Sequence, residues 1–149
     1  MPLPQEITFD SIALLKMHTA NRKRQLEITL AKFTVYVPVL SLYNYLAAKA
    51  YLKRNVEREL GLLKEIYNVV PLSDEIIVRA SKIEGYLLQR GLVVDPEDVL
   101  AASTAITTNS LLVTESPERY EHMRQFGLDV MPLEKFLREM KRIVERELR

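Results

Sequence analysis

Along this chain, short β-branched or aromatic runs alternate with longer stretches in which apolar residues return every three or four positions. The first kind reads as strand and the second as amphipathic helix. "ITF", residues 7–9, is a short strand ending at Asp10, and "SIALLKMHT" behind it is helical, with Ile12, Leu15 and Thr19 on one face. "RKRQLEITLAK" continues helically. "FTVYVPVL", residues 33–40, is a second strand with Pro38 placed where no ladder N–H is needed. Ser41 is expected to cap the following helix, "SLYNYLAAKAYLKR". Val56, Leu60, Leu63 and Tyr67 then recur at helical spacing, and "YNVVPL", residues 67–72, is a third strand.

The second half repeats the alternation. "SDEIIVRASKIEGYLLQRG" carries its apolar line on Ile76, Ala80, Ile83 and Leu87, with Gly91 placed to end the helix. "VDPEDVLAASTA" opens another helix. "LLVT" (111–114) and "LDVM" (128–131) are strands around a short helix, "PERYEHMRQFG". A C-terminal helix over about 133–148 aligns Leu133, Leu137, Met140, Val144 and Leu148. Repeated strand–helix units of this kind predict one α/β domain over residues 1–149, with about five mostly parallel strands.

Composition narrows the function classes. The formal net charge is +1, so any basic surface has to be local. No apolar run is long enough to span a membrane. The start of the chain lacks a signal-peptide pattern, which points to the cytoplasm. Without cysteine there is neither a disulfide framework nor a thiolate metal site. The glycines stand singly and form no nucleotide-binding loop.

What remains is a set of carboxylates. Ligands of open parallel sheets sit outside the carboxyl ends of the strands, near the point where strand order reverses. Asp10 ends the first strand there, Thr114, Glu115 and Ser116 end the fourth, and Asp98 opens the helix leading into it. Each acid has an ordinary alternative. Asp10 precedes a helix as an N-cap would, "DPED" at 95–98 is a good cap and acidic first turn, and Glu115 reads as a solvated loop acid. Gathered into one cleft, such carboxylates would repel one another unless a hard divalent ion such as Mg²⁺ or Mn²⁺ neutralised them.

A family resemblance rests on these same segments. "ITFDSIALLKM" resembles the first strand and helix of PIN domains, and "VPVLSLYNYLAA" their second. "PEDVLAASTAITTNSLLVTESPERYEHMRQFGLDVMPL" resembles their C-terminal half, so that roughly residues 5–132 match in order. The resemblance implies a three-layer α/β/α domain around a central, mostly parallel sheet. It also implies a Mg²⁺- or Mn²⁺-dependent endoribonuclease that hydrolyses RNA by metal-activated water. In this family such a protein is very often the toxin of a bacterial or archaeal VapC-type toxin–antitoxin pair. Asp10 matches the first family acid and Asp98 the third, both as metal ligands. The second, normally Glu, falls on Asn44, and the fourth, normally Asp or Asn, on Ser116 with Glu115 beside it. Arg119 stands where another acid often precedes the aromatic, here Tyr120. Asn44 and Ser116 offer oxygens but no charge, so a weaker ion site is expected, with Glu115 or Glu97 as substitute ligands.

Other features carry less. Arg22, Lys23 and Arg24, with Lys16 before them, read either as an RNA-backbone lip or as a solvated helix end. Tyr36, Tyr43, Tyr45 and Tyr51 suit core or interface packing better than base stacking. His18 and His122 lack ligand spacing, so neither is assigned a metal. The family implies a homodimer and an antitoxin partner. Two rival readings stand beside the nuclease. One is a catalytically weak or inactive PIN-fold module that binds RNA or protein; the other, ranked last, is a receiver-like signalling domain, which lacks its acidic pair near Asp10.

Overall fold

A computed structural model of the chain describes residues 3–149, so Met1 and Pro2, the start of the domain expected over 1–149, lie outside the described residues. The elements follow the expected alternation: β1 (Glu6–Phe9), α1 (Ser11–Met17), α2 (Lys23–Lys32), β2 (Thr34–Pro38), α3 (Val39–Tyr51), α4 (Val56–Ile66) and β3 (Asn68–Val70). Then come α5 (Asp74–Gln89), α6 (Pro96–Thr107), β4 (Leu111–Thr114), β5 (Val130–Pro132) and α7 (Leu133–Glu147). Short 3-10 turns stand at Ala20–Arg22 and Pro117–Phe126.

The five strands form one sheet in the order β3-β2-β1-β4-β5. All four pairings are parallel, where the sequence suggested only mostly parallel. Parallel neighbours need a long crossover, and the helices between them supply it. The chain steps outward from β1 to β2 and β3, then returns across β1 to β4 and β5. Strand order therefore reverses between β1 and β4, and the loops leaving their carboxyl ends diverge there. In register Phe9 lies opposite Val113, which brings Asp10 beside Thr114 at that rim.

Strand alternation divides the interior in two. Ile7, Phe9, Val35, Val37, Leu111 and Val113 face a core completed by α1, α3, α4 and α7. Leu112 faces a second core, built from Ala80, Ile83 and Leu87 of α5, the alanines of α6, and Tyr120 and Met123. Two cores on one sheet make the α/β/α layering. α5 keeps its expected face, Ser73 caps it by accepting the Ile76 N–H, and Gly91 follows its end at φ +74°. Among the described residues no helix is long and apolar enough to cross a membrane.

Several local expectations are corrected. α1 buries Ala13, Leu14 and Met17 rather than the Ile12–Leu15–Thr19 face, and it ends at Met17, before Thr19. Ser41 is no cap: α3 already begins at Val39, and Pro38 ends β2. The short helix expected around Tyr120 is present, in 3-10 form, and Gly127 closes it at φ +94°. In α7, Phe136 joins Leu133, Leu137 and Met140 in the core, while Leu148 is 82% exposed beyond the helix. Leu63 and Tyr67 are buried too, so part of each apolar stripe packs into the core. Of the tyrosines, Tyr45 is buried, Tyr43 and Tyr51 are exposed, and Tyr36 donates to Glu6.

Candidate active site

Asp10 leaves β1 with an extended backbone (φ −80°, ψ 179°), which aims its side chain back over the first turn of α1. Its Oδ1 accepts the Ala13 N–H at 3.0 Å, so the cap reading of this residue is correct as far as it goes. Its Oδ2 is engaged differently. The Thr114 hydroxyl donates to it at 2.6 Å and the Tyr120 phenol at 2.8 Å. Asp10 is 6% exposed. Three donors therefore fix a buried carboxylate at the switch point, and none of them carries a charge.

Asp98 is held by other means. Asp95, not Asp98, caps α6, its Oδ1 accepting the Glu97 N–H at 2.8 Å. Pro96 takes the first helical position, where no N–H is needed. That leaves the Asp98 carboxylate free of capping, and the first turn of α6 carries it inward to 5% exposure. There the Arg119 guanidinium grips it with two nitrogens, Nε to Oδ2 at 3.0 Å and Nη2 to Oδ1 at 3.0 Å. The same Nη2 lies 3.9 Å from Asp95 Oδ2.

Arg119 and Tyr120 are consecutive, so one step of the 3-10 segment reaches both acids. Tyr120 binds Asp10 while Arg119 binds Asp98. Burial raises the Tyr120 pKa far above its ordinary value, reinforced by the negative charges of Asp10 and Asp98, so the phenol remains a donor. Burial pushes the Asp98 carboxyl up to about 6, against the pull of the Arg119 guanidinium.

The remaining sequence candidates sit at different distances from this centre. Asn44 is half-buried on α3, one turn after Ser41, whose hydroxyl is fully buried without a hydrogen-bond partner. Ser116 is half-buried, and its N–H donates to the Thr114 hydroxyl at 3.1 Å. Glu115 is exposed and stands outside the network. Lys16, Lys23 and Arg24 are exposed, whereas Arg22 is spent on Glu134 at 2.6 Å. His18 packs against Tyr45 and Tyr67 and is hydrogen-bonded to the Tyr67 hydroxyl.

Two contacts of the site go beyond what the sequence predicts. In the sequence Arg119 reads only as a missing acid, and nothing local marks it as the partner of Asp98. Tyr120 was noted only as an aromatic, although its hydroxyl is what distinguishes it from Phe. Glu97, expected as a substitute ligand, precedes Asp98 in the chain and has its Oε1 buried without a hydrogen-bond partner. No spacing rule foretells that.

The candidate ligand atoms of Asp10 and Asp98 are carboxylate oxygens, a type that suits a hard divalent ion, although the Arg119 guanidinium now occupies those of Asp98. Among the described residues no three His, Cys, Asp or Glu side chains converge as a metal nest. An ion here would rest on two carboxylates, with neutral oxygens and water completing its shell.

No model of a known protein family matches the chain. It is 57% identical over 148 residues to a VapC ribonuclease of Pyrococcus furiosus, covering 99% of each chain. Its fold is similar to VapBC2 from Rickettsia felis bound to a DNA fragment from its promoter, with TM-score 0.70 at 18% identity over 85% of this chain and 98% of that one. It is also similar to VapBC-5 from Mycobacterium tuberculosis, a member of the VapBC family of toxin–antitoxin systems, with TM-score 0.58 at 14% identity over 87% and 98% of the two chains. At those identities the structural likeness speaks to the fold.

Proposed function

This chain belongs to the VapC ribonuclease family, and from that premise we propose that it is an endoribonuclease that cleaves RNA with a divalent ion held by Asp10 and Asp98. The observation that carries the reading is the buried pair itself. Two buried carboxylates from distant parts of the chain are bonded to consecutive residues of one segment, Asp10 to Tyr120 and Asp98 to Arg119, and this supports the reading. Burying such charges costs stability even when they are paired, and functional sites are where such groups cluster.

In this reading each residue has a task. Asp10, oriented by Ala13, Thr114 and Tyr120, and Asp98 at the start of α6 are the charged ligands. Mg²⁺ and Mn²⁺ are the ions of choice, and when bound such an ion supplies a more acidic water and positive charge against the phosphodiester. Asn44 and Ser116 stand where other family members carry charge, and they contribute neutral oxygens or a hydrogen bond to water or phosphate. Cleavage leaves a 5′-phosphate and a 3′-hydroxyl. Glu115, being exposed, has no task here. Lys16, Lys23 and Arg24 offer exposed counter-charge to the RNA backbone, with Arg22 already paired. The protein acts in the cytoplasm as a homodimer and is restrained by a cognate antitoxin. The family membership supports that assembly.

The test is RNA cleavage with and without Mn²⁺, in wild type and in Asp10→Asn. Asparagine retains an oxygen for the Ala13 N–H, so α1 stays capped while the ligand's charge is lost. Cleavage is expected to need the ion and to fall at least 100-fold in the variant. Cleavage that survives Asp10→Asn or EDTA would end the proposal. A chain that binds RNA in both forms and cleaves in neither is the non-catalytic module, the reading that neutral Asn44 and Ser116 favour.

A further inference from the structure

The two acids of the site are stabilised in opposite ways. Asp10 is satisfied by neutral donors alone: one amide and two hydroxyls. Asp98 faces a full positive charge, and both of its oxygens are taken by the fork of Arg119. Side-chain exposure is also unequal, 35% for Arg119 and 8% for Asp98. The carboxylate is locked into α6, while the guanidinium lies at the rim with solvent to move into.

We propose that Arg119 is a resident counter-cation of the site, holding the Asp98 carboxylate in competition with the divalent ion and thereby setting how tightly that ion binds. The inference rests on the reading of Asp10 and Asp98 as ion ligands and adds a residue that reading does not contain. Its physical basis is charge. Asp10, Asp98 and Arg119 together carry one net negative charge, whereas the two carboxylates alone carry two. A divalent ion entering beside the guanidinium meets both a weaker field and ligand oxygens already engaged. Once the ion holds Asp98, the exposed Arg119 is the partner that yields. In a site where two family acids are replaced by Asn44 and Ser116, a cation of the protein's own keeps the remaining buried carboxylate paired until the ion arrives.

The opposing possibility is that Arg119 is a buttress that presents Asp98 in its ligand orientation. The two ideas predict opposite signs. Mn²⁺ affinity is to be measured by calorimetry at constant ionic strength for wild type, R119Q, R119K and D10N. Competition predicts that R119Q binds Mn²⁺ roughly tenfold more tightly, from removal of one adjacent charge. R119K, which keeps the charge but loses the fork, should stay much nearer to wild type. Unchanged or weaker binding by R119Q overturns the inference. If D10N binds as wild type does, or if no form binds Mn²⁺, the ion-site reading fails and takes this inference with it.

A second measurement needs no folded R119Q. In wild type the Arg119 Nε–H resonance, assigned by its absence from R119K, should shift and lose exchange protection as Mg²⁺ saturates the site. A resonance unmoved at saturating Mg²⁺ overturns the proposal even where calorimetry is ambiguous.

Discussion

Among single residues, His18 shows how burial, aided by a nearby positive charge, sets a charge state. Its ring lies edge-on to Tyr45 and Tyr67, 5.6 Å from each, with the Tyr67 hydroxyl 2.6 Å from Nε2. Burial lowers its pKa to about 4, helped by the positive charge of Lys49, whose Nζ sits 5.2 Å from the Tyr45 ring. The unfolded chain takes up the proton near pH 6.5, while the native state resists it until about 4. Between those values the unfolded state binds more protons, so this residue makes stability fall as the pH falls. Asp98, with its raised pKa, acts in the opposite sense over an overlapping range. The His18 contribution is therefore best read as a difference between proteins. Urea melts at pH 7 and pH 4.5 should show wild type losing on the order of 2 kcal/mol more than His18→Phe. Equal losses would mean that the ring is not held neutral.

At the scale of elements, the 3-10 segment Pro117–Phe126 is what assembles the site, and its closure is conformational. It begins at Pro117, presents Arg119 and Tyr120 within its first turns, and ends with the Arg124 carbonyl accepting the Gly127 N–H. Gly127 sits at φ +94°, a region open to glycine and strained for other residues, and a Cβ added there would meet nothing within 4 Å. The cost of Gly127→Ala is thus one of backbone strain alone, about 1 kcal/mol. The expected result is a lower thermal midpoint with no change in the core. A variant as stable as wild type would show that the turn is freer than its backbone angles imply. α6 makes the complementary contribution. Because Asp95 caps the helix, Asp98 is released from that duty, and the register of one turn carries it inside.

Considered whole, the molecule is a parallel sheet with a core on each face, and the site lies where the two halves of the chain part company. The larger core is pinned by aromatic contacts around Phe136, which is fully buried, with its ring centroid 6.5 Å from Phe9 and 5.2 Å from Phe33. Those three rings come from α7, β1 and the end of α2, so they tie the C-terminal helix to the strand that carries Asp10. Phe136→Ala should cost about 3–5 kcal/mol in chemical denaturation. It should also cost ion binding, because β1 loses the packing that fixes Asp10. A small loss would mean that α7 is docked by its polar pairs instead, such as Lys32 with Glu147.

Much of this was written locally. The strands at Ile7–Phe9 and Leu111–Thr114, the Ser73 cap and Gly91 stop of α5, and the Asp95–Pro96 start of α6 depend on neighbours within about four residues. The sequence alone therefore determined them, together with the α/β class and the placing of Asp10 and Thr114 at one rim. Partner choice across the fold was not written locally. That Asp98 meets Arg119, that the Tyr120 hydroxyl reaches Asp10, that Arg22 is spent on Glu134 and that Phe136 rather than Leu148 enters the core were decided by tertiary structure. Each of these depends on which strands lie side by side and on how a short 3-10 segment turns its side chains. Periodicity records only which face of an element is apolar, whereas the partner of a buried charge is chosen by whatever the fold brings within 3 Å of it.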